Sequence, residues 1–188
     1  IGRANQIHAG AVLGDAPQHQ RCPEQTGRLI IGNENVIREF VTIHRGLNED
    51  DVTSVGSSNL LMANSHIGHD SVVGSQSLIA NNAMIAGHVH IDDQSYVSGA
   101  VGVHQFCRIG RFAMVGGQAH ITKDVPPFVT VDGLSSRIVG LNLVGLRRAG
   151  MNADAIREVK SAYRIAFRSG LRWEAMLSEL RSCDENKY

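Results

Sequence analysis

At 188 residues, 43% of them hydrophobic, the chain is long enough for one large domain or one and a half, and its 18 basic side chains balance 18 acidic ones. Zero net charge gives no reason to expect a nucleic-acid partner. No apolar run approaches the ~20 residues of a membrane span and nothing at the start reads as a signal peptide, so a cytoplasmic protein without stable membrane insertion is expected.

Ile1, Ile7, Leu13, Ile31, Ile37 and Ile43 stand on one six-residue phase, broken by His19, Gln25 and Glu49. The breaks fall within 15–28 and 47–54, where prolines and acidic residues collect. Both segments are expected to be loops thrown out from a rigid scaffold, where binding residues tend to sit. From Val55 the phase runs without a miss through Leu61, Ile67, Val73, Ile79, Ile85, Ile91, Val97, Val103, Ile109, Val115 and Ile121. Neither an α-helix nor a half-buried strand repeats every six residues; this period marks a parallel β-helix with three hexads to each triangular coil. The aliphatic residue points into the prism, while runs such as Ala80-Asn81-Asn82-Ala83 and Gly116-Gly117-Gln118-Ala119 supply tight corners. Cys22, Cys107 and Cys183 are odd in number and widely spaced, so neither a disulfide framework nor a zinc knuckle is indicated.

At Asp124-Val125-Pro126-Pro127 the period ends, because two prolines remove amide donors and are expected to forbid another regular coil. The β-helix is therefore assigned to 1–133 and a small C-terminal α-helical domain to 134–188. Within the latter, a first helix is expected from Gly140 to Arg148, closing at Gly150, and a second from near Asn152, a suitable N-cap. Ile156, Val159, Tyr163 and Phe167 give the second helix one apolar stripe, and Gly170 stands where a glycine ends a helix. A third helix, Trp173 to Arg181, precedes a polar tail at Asp184-Glu185-Asn186-Lys187. Charge divides along the same line, with 8 basic against 12 acidic residues in 1–133 and 10 against 6 in 134–188. The basic end could dock an acidic partner or a diphosphate, or be the solvated face of ordinary helices.

Ile67, Ile85 and Val103 are spaced by three hexads each, so their hexads stack on one face in three successive coils. His69, His88 and His104 follow them along one strip, with His66 at the preceding corner. Coils rise by about 4.8 Å, so His69 and His104 are expected roughly 10 Å apart. That length suits an elongated cleft better than a single metal ion. A lone histidine on such a corner is more often an ordinary surface residue; three with assisting neighbours make a candidate site. Asp70 can orient the His69 ring and stabilise its imidazolium, as a general base requires. Gly87 leaves a backbone amide free to approach a developing oxyanion, and Gln105 beside His104 offers a donor and an acceptor to a polar ligand.

Asn64-Ser65-His66-Ile67-Gly68-His69-Asp70, Ala80-Asn81-Asn82, Ala86-Gly87-His88-Val89, Val103-His104-Gln105-Phe106-Cys107 and the Asp124–Pro127 stretch together resemble the acyl-ACP–UDP-N-acetylglucosamine O-acyltransferases of lipid A synthesis. The stretches 37–46 and 140–148 look like the same family. The resemblance implies a left-handed parallel β-helix, against the usual right-handed crossover rule, and a homotrimer with active sites between neighbouring prisms. It implies acyl carrier protein as donor, a UDP-sugar as acceptor, and neither metal nor other cofactor, because the thioester arrives activated. Carried over residue by residue, His69 would be the general base on the sugar 3-hydroxyl, Asp70 its partner and Gly87 the source of the oxyanion amide. His66, His88, His104 and Gln105 would line the cleft, with Asn142 and Arg148 nearer the nucleotide. Gly117 matches the position whose bulk limits acyl length, the alternative being a glycine that the corner itself needs.

Departures from the family fall on ligand positions. Its first loop reads close to P-Q-D-x-K-Y-x-G-E, whereas Pro17-Gln18-His19-Gln20-Arg21-Cys22-Pro23-Glu24 keeps only the start. His19 replaces a carboxylate expected to bind the sugar, and Arg21 replaces a lysine, which keeps charge without keeping shape. Val144 stands for a glutamate near the nucleotide and Ala149 for a second arginine. The pattern implies preserved acyl transfer with an altered or weakened acceptor site. Because the chain starts inside a repeat at Ile1, N-terminal coils of the family are expected to be missing and the native chain to be longer. Two other functions stay open: a trimeric metal hydratase resembling the γ-class carbonic anhydrases, and a catalytically idle scaffold paralogue.

Overall fold

The computed structural model describes residues 1–185, with side chains through residue 182, so Asn186 and Lys187 of the expected tail and the Cys183 thiol lie outside the described residues. The six-residue phase folds into three sheets that form the faces of a prism. The first face carries Gln6–Ile7, Val36–Ile37, Leu60–Leu61, Leu78–Ile79, Tyr96–Val97, Met114–Val115 and Val129–Val131, and the second Val12–Asp15, Thr42–His44, His66–Ile67, Met84–Ile85, Gly102–Val103 and His120–Ile121. The third carries Arg28–Ile31, Val52–Val55, Val72–Val73, His90–Ile91 and Arg108–Ile109. Pairing is parallel, with Ile67 beside Ile85 and Ile85 beside Val103.

Packing explains the period. Ile37, Ile43, Leu61, Ile67, Ile79, Ile85, Ile91 and Ile109 are fully buried, and each such side chain removed from water contributes about 1.5–3 kcal/mol. From Asn35 onward the residue two places before the aliphatic is buried as well, and where it is polar it mostly bonds along the axis, the buried Ser65 hydroxyl being an exception with no hydrogen-bond partner. Asn59 N donates to Asn35 Oδ1 at 2.9 Å, Ser77 N to Asn59 Oδ1 at 2.7 Å and Ser95 N to Ser77 Oγ at 3.1 Å, a ladder that leaves those buried groups satisfied. In the regular hexads the third residue after the aliphatic turns the chain through the left-handed region, with φ of 60° at Asn64, 61° at Asp70, 58° at Asn82 and 59° at His88. Asn, Asp and His tolerate that region better than most side chains. Asp70 and His88 are thereby fixed at successive corners.

Below Ile67 the coils are longer. Thr42 pairs with His66, four hexads on, and Val12 with Thr42, five hexads on. These turns exceed the regular three hexads by one and by two, so the insertions add loop without shifting the aliphatic phase. The second insertion is shorter than the expected 47–54, because Val52, Thr53 and Ser54 are strand residues paired with Arg28–Ile30. His66 likewise lies in a strand and not at a corner.

The prolines do not stop the prism. Val125 bridges Ile109 in parallel, Pro126 and Pro127 take the corner beside Gly110, and Val129–Val131 adds one more parallel strand beside Met114–Val115. Both prolines fall between paired segments, where no ladder amide is required. The pairs Ile109–Val125 and Met114–Thr130 are 16 residues apart and not the 18 of three hexads, so the six-residue period does end here as expected, while the prism continues until Ile138–Leu141 returns antiparallel on Val129–Val131. Gly140 is therefore a strand residue, and the first helix, α1, spans Leu143–Arg148. The chain divides into compact units Ile1–Asn142 and Leu143–Tyr188, a boundary later than 133 for the same reason. In the second unit α2 spans Ala153–Arg168, with Asn152 Oδ1 accepting from Ala155 N at 2.8 Å, and α3 spans Trp173–Glu185, continuing past Arg181. Ile156 is buried and Val159 and Tyr163 half-buried, while Phe167 at the end of the stripe is exposed against the Tyr163 ring. Among the described residues no helix is long and apolar enough to cross a membrane.

Candidate active site

His69 leaves the strand His66–Ile67 at the corner and is 7% exposed. Its Nδ1 lies 2.6 Å from Asp70 Oδ2. The other carboxylate oxygen accepts from Leu47 N at 3.1 Å, and the Asp70 amide donates to Thr53 Oγ1 at 2.8 Å. The inserted hexad thus holds the carboxylate, and the third face holds the backbone amide of the same residue. With Asp70 ionised, Nδ1 carries the ring proton and Nε2 is left as the base. His88, one coil on, sets its ring across His69 at 5.2 Å and 86°, brings Nε2 to 3.5 Å from Asp70 Oδ2, and stacks on Phe106 at 4.8 Å and 13°. From the first loop His19 turns its ring edge to His69 at 5.7 Å and 80°.

Gly87 is required by this arrangement. A Cβ there would stand 2.8 Å from both Cε1 and Nε2 of His69 and 3.1 Å from its carbonyl oxygen, so any side chain would push the imidazole away. Among the described residues the Gly87 amide donates to no protein acceptor, as is also true of His69 and Gln105 at the equivalent corners. Of the three, glycine alone lets a base stand against the neighbouring coil.

Beneath this tier lie two more imidazoles. Thr42 Oγ1 and His66 Nδ1 are 2.8 Å apart, the His44 ring meets His66 edge-on at 5.1 Å, and Gln18 N donates to His44 Nδ1 at 3.2 Å. Burial, followed by the nearby His44 and His69, pushes His66 down to about 4. His44, 4% exposed, is also held below the ordinary histidine value by burial, against an opposing pull from Asp15. Thr42, His44, Leu47 and Thr53 were not legible as site residues. Their signal is the length of the insertions, since Thr42 faces His66 only in a coil of four hexads.

Known proteins resemble the chain over nearly its whole length. A family model, UDP N-acetylglucosamine O-acyltransferase domain 2, matches residues 124–188. The acyl-[acyl-carrier-protein]–UDP-N-acetylglucosamine O-acyltransferase of Gloeothece citriformis is 47% identical over 188 residues, covering 100% of this chain and 68% of that protein. The chain belongs to this family. Among solved structures, the UDP-N-acetylglucosamine acyltransferase of Francisella novicida matches with a TM-score of 0.93 at 37% identity, covering 98% of this chain and 68% of that one. The Moraxella catarrhalis UDP-N-acetylglucosamine O-acyltransferase matches at 0.92 and 43%, covering 97% and 72%. The fold is the left-handed parallel β-helix of that family, followed by a short helical part.

The other residues expected at the site are divided between the two units of the chain. His104 and Gln105 follow the strand Gly102–Val103 one coil beyond His88, both exposed, with His104 Nδ1 3.2 Å from the Gln105 carbonyl oxygen. Arg21 is exposed in the first loop, where its amide donates to His19 Nδ1 at 3.2 Å. Asn142 closes the first unit, its Nδ2 donating to Phe112 O at 2.9 Å. Arg148, exposed, ends α1 in the second unit, which also carries the exposed Val144. At Gly117 the left-handed corner residue is the next one, Gln118 with φ 63°, and a Cβ would meet only Gly99 O at 3.4 Å and Ser98 Cβ at 3.9 Å. The corner therefore does not demand this glycine. His69, Asp70 and His88 offer ligand atoms within 4.8 Å of one another, enough to consider a metal ion. One carboxylate oxygen lies 2.6 Å from one imidazole and 3.5 Å from the other, which describes a shared hydrogen-bond acceptor better than a three-histidine metal centre.

Proposed function

We propose that this chain transfers a 3-hydroxyacyl group from acyl carrier protein to the 3-hydroxyl of UDP-N-acetylglucosamine, the first step of lipid A synthesis. The observation that carries the reading is the buried His69–Asp70 pair set against Gly87, whose lack of a side chain makes room for the ring. His69 Nε2 takes the proton of the sugar hydroxyl as that oxygen attacks the thioester carbonyl. The carbonyl oxygen becomes an oxyanion, and the Gly87 amide donates to it. Collapse of the tetrahedral intermediate breaks the carbon–sulfur bond, and the imidazolium returns its proton to the departing carrier thiolate. Asp70 remains a carboxylate throughout, orienting the ring and offsetting its charge.

His66, His88, His104 and Gln105 line the cleft for sugar and acyl chain in this reading, and His19 and Arg21 meet the acceptor from the first loop. Asn142 and Arg148 match the family's nucleotide positions, and Gly117 admits a long acyl chain. Family membership supports a homotrimer with sites between neighbouring prisms and a cytoplasmic location. Incubation of the chain with 3-hydroxyacyl carrier protein and UDP-N-acetylglucosamine, read by mass spectrometry, is expected to yield the O-acylated sugar nucleotide. Product only with another nucleotide sugar would replace the acceptor, with His19, Arg21, Val144 and Ala149 as the cause. No product with any sugar nucleotide from a well-folded protein would overturn the reading, and light scattering tests the trimer.

A further inference from the structure

We propose that His44 is a positioning residue whose neutral imidazole latches the loop 16–23 to the prism, and so sets His19 against His69. The proposal deepens the acyltransfer reading and rests on it for its kinetic consequences alone. The first loop makes its own internal bonds, His19 N to Pro17 O at 2.9 Å and Cys22 N to His19 O at 3.1 Å. Among the described residues, the bond from Gln18 N to His44 Nδ1 at 3.2 Å is the one hydrogen bond that ties 17–23 to the prism. Gln18 is followed at once by His19, whose ring stands 5.7 Å from His69. The latch therefore lies next in sequence to the contact it would govern.

The chemistry of the latch is specific. Nδ1 of His44 accepts, so the proton of the neutral ring is on Nε2. A second proton would have to go to Nδ1, turning the acceptor into a donor that faces the Gln18 N–H. The charged and titratable groups facing the ring are Asp15 on the strand before the loop, His66 on the strand above and His69 at the next corner. Burial outweighs Asp15 and keeps the ring neutral to lower pH than an ordinary histidine. With the loop released the ring would be less buried and its pKa would move back toward the ordinary histidine value of about 6.5. Closure is then fully favoured above that pH, weakens as pH falls below it, and is lost once pH passes the lower value of the latched ring.

Hydrogen–deuterium exchange of the segment 16–23 tests this, with rates corrected for the intrinsic effect of pH. The parent is expected to protect the Gln18 amide at pH 8 and to lose about tenfold of that protection at pH 5.5, the size of one net hydrogen bond. His44→Asn puts a non-titrating acceptor in the place of Nδ1 and is expected to protect equally at both values. His44→Ala is expected to protect at neither, and to raise KM for the sugar nucleotide about tenfold with kcat changed less than about threefold. Unaltered exchange in His44→Ala, or the same acid loss in His44→Asn as in the parent, would overturn the proposal. Should His44→Ala fail to fold, the comparison of His44→Asn with the parent decides alone. The exchange arm needs no substrate, so it separates failure of the latch from failure of the acyltransfer reading.

Discussion

The coils above Ile67 and those below it are built from one repeat, yet they do different work. Above, as far as His120–Ile121, strands pair with those three hexads on, and the corners carry what the neighbouring coil presents, as at Asp70 and His88. Below, turns of four and five hexads throw out the loops that bring His19 and Leu47 to the same corner. Regular coils supply position, and the interrupted ones supply partners. Because both insertions are whole hexads, partners were added without disturbing the core.

The sharpest way to break that comparison is to remove an insertion in whole and in fractional hexads. Deleting residues 46–51 keeps the aliphatic phase, so the prism is expected to fold, with unchanged circular dichroism. Acylation should fall by about 100-fold or more, because Asp70 loses its bond from Leu47 N. Deleting only 46–50 moves every following aliphatic residue off the phase, and no folded protein is expected. Equal folding of both deletions would refute the account of the insertions.

Gly87→Ala probes the upper coils alone. Its Cβ would strike the His69 ring and press on the His69 carbonyl oxygen, so kcat should drop about 10²–10³-fold with little change in melting temperature. Full activity in this variant would remove Gly87 from the mechanism.

A smaller effect concerns stability. His66 is pushed to about 4 by burial, below the roughly 6.5 of an exposed histidine. As pH falls from the ordinary value to the lower one, the unfolded chain takes up a proton that the folded chain refuses, and stability declines through that window. Urea denaturation of His66→Asn is expected to show a shallower decline between pH 7 and 4 than the parent. Identical pH profiles would show that His66 does not contribute.

The smallest effect is expected at Gly117, where an added Cβ makes ordinary contacts. Gly117→Met should change stability by less than about 1 kcal/mol and move the preferred acyl donor to a shorter chain, measured by competition between carrier proteins of different acyl length. An unchanged preference would exclude the position as a ruler.

These contrasts also explain what the sequence made legible. A period of six is visible because burial of Ile67, Ile85 and their equivalents tolerates nothing else, and the upper corner residues followed from counting three hexads to a coil. His44 and Thr42 were hidden because counting three hexads downward from His66 leads to the wrong coil; only the pairing of Thr42 with His66 reveals the longer turn. The helix expected at Gly140 failed for a related reason. Its apolar spacing is real, but the antiparallel pairing of Ile138–Leu141 with Val129–Val131 offers the backbone a ladder that local propensity does not record.

The most direct test of the account compares the parent with His69→Ala, measuring kcat for acylation of UDP-N-acetylglucosamine alongside calorimetric binding of that sugar nucleotide. The account predicts a kcat lower by about 10²–10⁴-fold, as expected for loss of a general base, with sugar binding nearly unchanged. A His69→Ala protein that turns over within threefold of the parent would contradict it.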